Sequence, residues 1–396
     1  MAKKTILITT IGKYPHLGGK SVHINSLEQL MSKYSDGEFE PTVLSFSDLR
    51  TFSQMICSSP RVFSNIPLDF ALRRAFLLNK LKKIDLTDMP VMLIQDSPAF
   101  LLAKKVSKPF ILTIHGSSAD EYASKKDIVF GDSNYRKLLQ EEIDAAKKAS
   151  FVITVDTNLK NQIIARSHID SSRVISLPNT VDPQVFYPAK NKAEFKKAHG
   201  YSSKDFVTVL TRRLVPKNGV HIAILALALL DRPNVKLVIA GDGKERESLN
   251  ELVLKLNLEG QVRFLGALEH QKTPDLLKCA DLCLLPSIPD HNVIEATSIS
   301  ALEAMASSAP IIASNIGGLK ELLDKEAGLL VKPNDAEALK AAWQTIIDNP
   351  ELGDSLGKRA RKKVLEEYSM EIWIKTYLNL IRQTIKEGTR RPEVRR

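Results

Sequence analysis

Short apolar runs and longer helical patterns alternate from one end of the chain to the other. Each run spans roughly four to eight residues and is rich in Val, Ile, Leu and Phe, which is typical of strands buried on both faces of a parallel sheet. We predict six such strands in each half. In order they are KTILITT, PTVLSFS, VMLIQD, FILTIHG, FVITVD and RVISLP, then FVTVLT, VKLVIAG, VRFLG, DLCLLPS, PIIAS and GLLVKP.

Because this alternation occurs twice, it predicts an α/β protein of two doubly wound, Rossmann-like domains. Two prolines in the stretch 179–188 mark the join. We expect a first domain over 1–185, a second over 186–369, and an amphipathic helix over about 370–388 that packs back on the first domain. Ligands of such sheets bind at the carboxyl ends of strands, so we expect the site in a cleft that the two domains face.

Charge and cysteine content narrow the class of protein. The formal net charge of +10 suits an anionic partner, which could be nucleic acid, anionic lipid or a phosphorylated ligand. No helix-turn-helix, zinc-finger or basic-aromatic pattern accompanies the charge, so we do not expect nucleic acid. Cys57, Cys279 and Cys283 lack the number and spacing of a disulfide framework or a zinc site, and we interpret them as small buried hydrophobes.

The N-terminal residues and the hydropathy of the chain indicate its location. The sequence MAKKTILITT reads as a first strand rather than a signal peptide. No apolar run reaches the roughly 18 residues that a membrane span needs. We therefore expect a cytoplasmic protein, either free or peripheral on the inner face of the membrane.

Two glutamates, Glu295 and Glu303, lie on either side of a predicted helix start. Thr297 and Ser298 are favourable N-cap residues, so the helix should begin near Ile299. Glu303 falls within the apolar arc of this helix, where an unpaired charge costs free energy, whereas Glu295 precedes the cap. The pattern therefore needs a partner for Glu303.

A nucleotide-diphosphate sugar would supply that partner. The free N–H groups of a helix start suit a pyrophosphate, Glu303 can accept hydrogen bonds from a ribose diol, and Glu295 can reach the sugar. In the alternative, structural interpretation, Glu303 pairs with a buried Lys or Arg and Glu295 is solvated. A loop with Arg212, Arg213 and Lys217 follows the FVTVLT strand and favours the first interpretation, because such cations suit a diphosphate.

Together these segments resemble the retaining glycosyltransferases of family 4, which have the GT-B fold. The resemblance covers nearly the whole chain and depends on the order and spacing of several motifs. They are LGGKSVHI, LTIHG, ASFVITVD, VISLPNTVDPQVFYP, RRLVPKNGV, VIAGDGKE, VRFLGAL, LLPS, the pair Glu295 and Glu303, and PIIASNIGG.

The resemblance implies how the diphosphate would be held. Arg213 and Lys217 match best the arginine and lysine that neutralise this leaving group in the family. Arg212 stands where the family usually has glycine, and Asn218 stands directly before Gly219, where the family usually has lysine. Either Arg212 or Arg213 can therefore be the residue that grips the diphosphate.

The resemblance also implies that Glu303 binds the ribose, that Glu295 contacts the transferred sugar, and that His115 lies near this sugar. A satisfied histidine at a strand end is the alternative for His115. Gly18 and Gly19 would let the backbone approach the donor. Further donor contacts are expected at Gly241, Gly243, Ala267, Thr297, Ser298 and Ile299.

The implied reaction moves a sugar from a nucleotide-diphosphate donor, which we expect to be UDP-linked, to an acceptor hydroxyl with retention of configuration. Its expected setting is cell-envelope or surface polysaccharide synthesis, and the acceptor is a sugar or a lipid-linked molecule. No Asp-x-Asp occurs in the sequence, so we expect no metal and no other cofactor. A nucleotide-sugar epimerase of similar architecture and a non-catalytic protein that binds a nucleotide sugar or a lipid surface stay open as alternatives.

The segment 69–84 predicts a basic amphipathic helix. Phe70, Leu77, Leu81 and Ile84 form its apolar stripe, and its cations are Arg73, Arg74, Lys80, Lys82 and Lys83. Such a helix can lie on an anionic membrane surface and bring the enzyme to a lipid-linked acceptor. Alternatively, it packs on its own sheet with a solvated basic face.

Overall fold

The computed structural model describes residues 3–12, 14–15, 19–46, 66–124, 128–289, 296–324 and 326–390. The predicted site residues Gly18 and Glu295, together with Cys57, lie outside these ranges. The chain divides into two compact units. The first comprises the described residues up to Asn179 and those from Met370 onward, and the second comprises those from Thr180 to Ser369.

The described residues form twelve strands, and each predicted apolar run overlaps one of them; the second strand begins two residues before its predicted run. They are β1 Lys4–Thr9, β2 Phe39–Leu44, β3 Met92–Ile94, β4 Phe110–Ile114, β5 Phe151–Thr154, β6 Val174–Ser176, β7 Phe206–Thr211, β8 Val235–Ala240, β9 Val262–Gly266, β10 Leu282–Leu285, β11 Ile311–Ser314 and β12 Leu329–Val331. All of their pairings are parallel. The predicted strands are therefore confirmed.

Helices connect these strands, as parallel pairing requires. They are α1 Gly19–Tyr34, α2 Ile66–Leu81, α3 Phe100–Val106, α4 Ser118–Ser124, α5 Ser133–Lys148, α6 Thr157–Ser167, α7 Lys192–Ala198, α8 Val220–Leu230, α9 Arg246–Lys255, α10 Thr273–Lys278, α11 Ile299–Ala306, α12 Gly317–Leu323, α13 Ala336–Asp348, α14 Pro350–Glu367 and α15 Met370–Arg390. Aspartates cap α5, α6 and α13, where Asp132, Asp156 and Asp335 each accept a hydrogen bond from the N–H three residues further on.

The sheet of the first unit has the strand order β2-β1-β3-β4-β5-β6. The chain passes to the other side of β1 at β3, so the carboxyl ends of β1 and β3 flank a topological switch point, where such folds bind ligands. Helices α1 and α15 cover one face, and α15 buries Trp373, Ile374 and Tyr377 there. The two polar side chains that directly follow β3, Gln95 and Asp96, are also buried.

The sheet of the second unit has the order β12-β11-β10-β7-β8-β9, which places its switch point between β7 and β10. One face packs against α8, α9 and α13, with Trp343 at 0% exposure. The other packs against α10, α11, α12 and α14, and it includes the buried Cys279 and Cys283. Both units are thus doubly wound α/β folds, as the sequence predicts.

Helix α2 turns Leu77 and Leu81 toward its own unit, where both are buried. Arg74 pairs with Glu141 at 2.5 Å, and the Arg73 guanidinium donates to the carbonyl of Ile11 at 3.3 Å. Two of the five cations of the predicted basic helix therefore contact the protein itself. Within the described ranges, the chain has no helix that combines the length and apolar character of a transmembrane span.

Candidate functional site

The loop after β7 is tied to the start of α11 at the switch point of the second unit. Arg212 is buried, and its guanidinium donates to Asn218 Oδ1 at 2.7 Å and to Ser298 Oγ at 3.4 Å. The amide of Asn218 in turn donates to the carbonyl of Arg213 at 2.7 Å. Arg212 therefore fixes the path of this loop relative to the helix start.

Helix α11 begins at Ile299, as its N-cap pattern predicts. The Ser298 hydroxyl accepts a hydrogen bond from the N–H of Ala301 at 3.4 Å, and Thr297 and Ser298 are both buried. Ser300 adds a second link to β7, because its hydroxyl donates to the carbonyl of Thr211 at 2.6 Å. Among the described residues, no acceptor takes the N–H groups of Ile299 and Ser300, so these two groups can bind an anion at this end of the helix.

The two arginines of the loop have different surroundings. Arg213 is exposed, whereas Arg212 is 8% exposed. Lys217 is half-buried, and its carbonyl accepts a hydrogen bond from the N–H of Ile288 at 2.8 Å, which links the loop to the residues after β10. Arg213 and Lys217 are thus the cations of this loop that can reach a soluble anion.

The glycines after β8 serve the contact between two loops. Gly241 has a φ of +153°, and a Cβ there would lie 1.8 Å from the carbonyl oxygen of Arg212. A Cβ at Gly243 would lie 2.3 Å from the carbonyl oxygen of Leu214. The lack of a side chain at both residues therefore lets the β8 loop pack against the β7 loop. Ala267, which directly follows β9, is exposed.

Gly318, which the sequence analysis did not single out, supports the same end of the sheet. A Cβ at this position would lie 2.6 Å from the carbonyl carbon of Ala296 and 2.8 Å from the amide nitrogen of Thr297. Only glycine allows α12 to begin so close to the segment that leads into α11. The Gly-Gly pair after the PIIAS strand is the signal that could have identified it.

Glu303 is buried on α11 and has a partner that the sequence analysis missed. Its Oε1 lies 2.8 Å from Nε2 of His270, and the two side chains are 6% and 51% exposed. Burial raises the pKa of Glu303, and the hydrogen bond with Glu303 raises the pKa of His270. The predicted structural alternative, a buried Lys or Arg partner, is wrong because a histidine from the turn after β9 takes that place.

His115 and Gly19 belong to the first unit. Gly19 begins α1 and is exposed. His115 follows β4, and its Nε2 lies 3.1 Å from Oε1 of Gln95. Burial, with a smaller effect of the neighbouring His23 and Lys20, lowers the pKa of His115 well below its ordinary value. The imidazole is therefore neutral near pH 7.

A cavity of about 150 Å³ opens at the switch point of the first unit. Its lining includes His115, Gln95, Asp96, Lys20 and Arg73. Lys20 pairs with Asp96 at 3.3 Å, and the N–H of Ile11 donates to the same carboxylate at 3.2 Å. The amide nitrogen of Gln95 is buried and has no hydrogen-bond partner among the described residues. A buried donor without a partner is rare in native structures, which draws attention to Gln95 in the lining of this cavity.

A chain of hydrogen bonds buried in the first unit joins α15 to the sheet. His23 Nδ1 lies 2.8 Å from Asn179 Oδ1, and its Nε2 lies 2.8 Å from the hydroxyl of Tyr377. That hydroxyl lies 3.0 Å from Thr113 Oγ1. Burial lowers the pKa of His23 to about 4, so its neutral ring is part of the folded state.

Comparison with known proteins agrees with this architecture. Residues 191–363 match the family described as glycosyl transferases group 1. An uncharacterized glycosyltransferase of Methanocaldococcus jannaschii is 30% identical over 234 residues, which are 58% of this chain and 59% of that protein. The match thus spans less than two thirds of that relative's length.

Two solved structures share the fold over nearly the whole chain. Sucrose-phosphate synthase from Thermosynechococcus elongatus has a TM-score of 0.79 at 20% identity and covers 97% of this chain and 100% of its own. Anabaena HepE in complex with UDP and glucose has a TM-score of 0.73 at 17% identity and covers 96% and 99%. These likenesses show the two-domain α/β GT-B fold.

Proposed function

We propose that the chain, whose residues 191–363 match the glycosyl transferases group 1 family, is a retaining, metal-independent glycosyltransferase with a nucleotide-diphosphate sugar as donor. The observation that carries this proposal is the arrangement at the switch point of the second unit. A helix N-terminus, an exposed Arg213 and a buried carboxylate at Glu303 lie on neighbouring segments there. These are the groups that a diphosphate and a ribose would require.

Each group has a role in the proposed donor complex. Arg213 and Lys217 neutralise the diphosphate, together with the first N–H groups of α11. Arg212 is a positioning residue, because its guanidinium already holds Asn218 and Ser298. Glu303 accepts a hydrogen bond from the ribose. Glu295 keeps its proposed contact with the transferred sugar, although it lies outside the described residues.

The reaction breaks the bond between the anomeric carbon and the diphosphate oxygen and forms a bond from that carbon to the acceptor oxygen on the same face. The acceptor's proton passes to the departing phosphate. Negative charge grows on the diphosphate as the bond breaks, so the groups that stabilise it lower the barrier most. Arg213 and Lys217 would supply this charge stabilisation, and no divalent metal is needed.

We further propose that the donor is UDP-linked, which the complex of Anabaena HepE with UDP and glucose supports by analogy of fold. The acceptor would bind at the cavity of the first unit, whose lining includes His115 and Gln95. A role in envelope or surface polysaccharide synthesis at the cytoplasmic face of the membrane remains our proposed setting. Contact of 69–84 with an anionic membrane is part of that proposal, and the exposed Lys82 and Lys83 would make it.

A panel of UDP-, GDP- and ADP-linked sugars tests this function. Calorimetry measures donor binding, and chromatography measures release of the nucleoside diphosphate in the presence of excess EDTA. We expect one class of donor to bind and to be turned over slowly even with water as acceptor. Conversion of the donor to another nucleotide sugar would indicate an epimerase, and binding without turnover would indicate a non-catalytic protein.

A further inference from the structure

The histidine on Glu303 changes how a ribose could be recognised. His270 begins the 3₁₀ turn His270–Lys272 after β9, and its Nε2 is hydrogen-bonded to Oε1 of Glu303 at 2.8 Å. A carboxylate accepts a ribose diol most simply through both of its oxygens. With Oε1 engaged, Oε2 is the oxygen that stays available for a ribose hydroxyl.

The imidazole is held in this position from a second side. Its ring packs against the ring of Phe186, with centroids 5.5 Å apart, and Phe186 is 2% exposed. The backbone of Glu303 is held by helix α11, whose residues 301–306 are buried. The hydrogen bond therefore joins two groups whose positions are set independently, so it can determine the rotation of the carboxylate.

Electrostatics favours the same arrangement. Burial raises the pKa of Glu303, which works against the ionised form, while the hydrogen bond to His270 works in the opposite direction. His270 in turn has a raised pKa because of Glu303. Without this partner, the buried carboxyl group would more readily take up a proton and lose part of its capacity to accept a hydrogen bond.

We propose that His270 is a positioning residue for nucleotide recognition, which holds the Glu303 carboxylate so that Oε2 accepts one ribose hydroxyl. This inference rests on the proposed function, since it assumes that Glu303 faces the ribose of the donor. It gives the protein a specific chemical preference: a ribonucleoside diphosphate should bind better than the analogue that lacks the hydroxyl facing Oε2.

Calorimetry with UDP, 2′-deoxy-UDP and 3′-deoxy-UDP tests the inference. We expect wild type to bind UDP about tenfold or more tightly than one of the two deoxy analogues, as suits a hydrogen bond to a charged group. His270→Ala should weaken UDP binding by a similar factor and leave the affinity for that analogue unchanged, so that discrimination disappears. His270→Gln, which keeps a donor, should restore part of it.

Lys272→Ala is the matched control. It removes a cation from the same turn, where Lys272 pairs with Glu269 at 3.1 Å and both are exposed, but it leaves the hydrogen bond to Glu303. This variant should discriminate as wild type does. Thermal unfolding of each variant shows whether it is folded.

The outcomes distinguish a failure of this inference from a failure of the proposal on which it rests. Equal weakening of UDP and both analogues in His270→Ala would show a merely structural role and would overturn the inference. Tighter UDP binding in His270→Ala would also overturn it, because histidine and ribose would then compete for Glu303. If wild type bound none of the three nucleotides, the proposed UDP donor would fall, and this inference with it, while the donor panel would still decide the proposed function.

Discussion

Replacing Arg212 and Arg213 one at a time separates the residue that holds the loop from the residue that binds the diphosphate. Arg212→Met removes the donor to Asn218 Oδ1 at 2.7 Å. Because Asn218 is buried, this loss should lower the free energy of unfolding of the second unit by about 1–3 kcal/mol. Arg213→Met changes an exposed side chain and should alter that free energy by less than about 0.5 kcal/mol.

Ligand binding should show the opposite order. Loss of a charge-assisted hydrogen bond costs about 1.5–3 kcal/mol, so Arg213→Met should raise the Kd of UDP about 10- to 150-fold, and Arg212→Met should raise it less. Calorimetry measures the Kd. Urea unfolding followed by tryptophan fluorescence measures the stability, because the chain has two tryptophans, Trp343 in the second unit and Trp373 in the first.

A Trp373→Phe background makes that fluorescence report on the second unit alone. Two results would refute the assignment of roles. One is an unchanged Kd for UDP in Arg213→Met, and the other is an unchanged free energy of unfolding in Arg212→Met. Reversed effects of the two changes would mean that Arg212 grips the diphosphate.

Four further predictions concern the two glutamates, metal independence, the buried His23 and the exposed lysines after α2. Glu303→Ala should weaken UDP binding by about 1–3 kcal/mol, whereas Glu295→Ala should reduce turnover more than UDP binding; equal, small effects in calorimetry and kinetics would contradict this. Activity should survive excess EDTA, and loss that Mg²⁺ or Mn²⁺ restores would exclude metal independence. The pKa of His23 is about 6.5 in the unfolded chain and about 4 in the folded protein. Its contribution to stability, up to about 3 kcal/mol, is therefore present above pH 6.5 and is lost as the pH falls toward 4. Urea unfolding of the first unit should show this pH dependence, and His23→Gln should reduce it. Co-sedimentation with anionic but not neutral vesicles, weakened by Lys82→Glu with Lys83→Glu, would support membrane contact, and no binding at low salt would indicate a soluble acceptor.

The sequence predicts the central strands of each sheet well because burial on both faces leaves an unbroken apolar run, as in the fully buried β3, β4, β5, β10 and β11. The start of α11 is equally predictable, since Ser298 is a favourable N-cap and the apolar stripe begins directly after it. Even the burial of Glu303 follows from its angular position on that helix. These features depend on residues that are close in the sequence, so the periodicity of apolar and polar positions is enough to predict them.

The partner of Glu303 could not be read in the same way. His270 lies in a polar turn, 33 residues before Glu303, and only the packing of the turn after β9 against α11 brings them together. The rule that functional residues follow the carboxyl ends of strands would have drawn attention to it, because it lies four residues after the end of β9. Which of Arg212 and Arg213 is buried likewise depends on tertiary contacts with Asn218 and Ser298.

The most direct measurement of the central claim is proton NMR of the products, recorded from the start of a reaction with an α-linked UDP-sugar. We expect UDP to be released and the transferred or hydrolysed sugar to appear first as the α-anomer, before mutarotation, with Glu303→Ala strongly impaired. Appearance of the β-anomer first, formation of a different nucleotide sugar, or no release of nucleoside diphosphate from any donor in the panel would contradict retaining glycosyl transfer at this site.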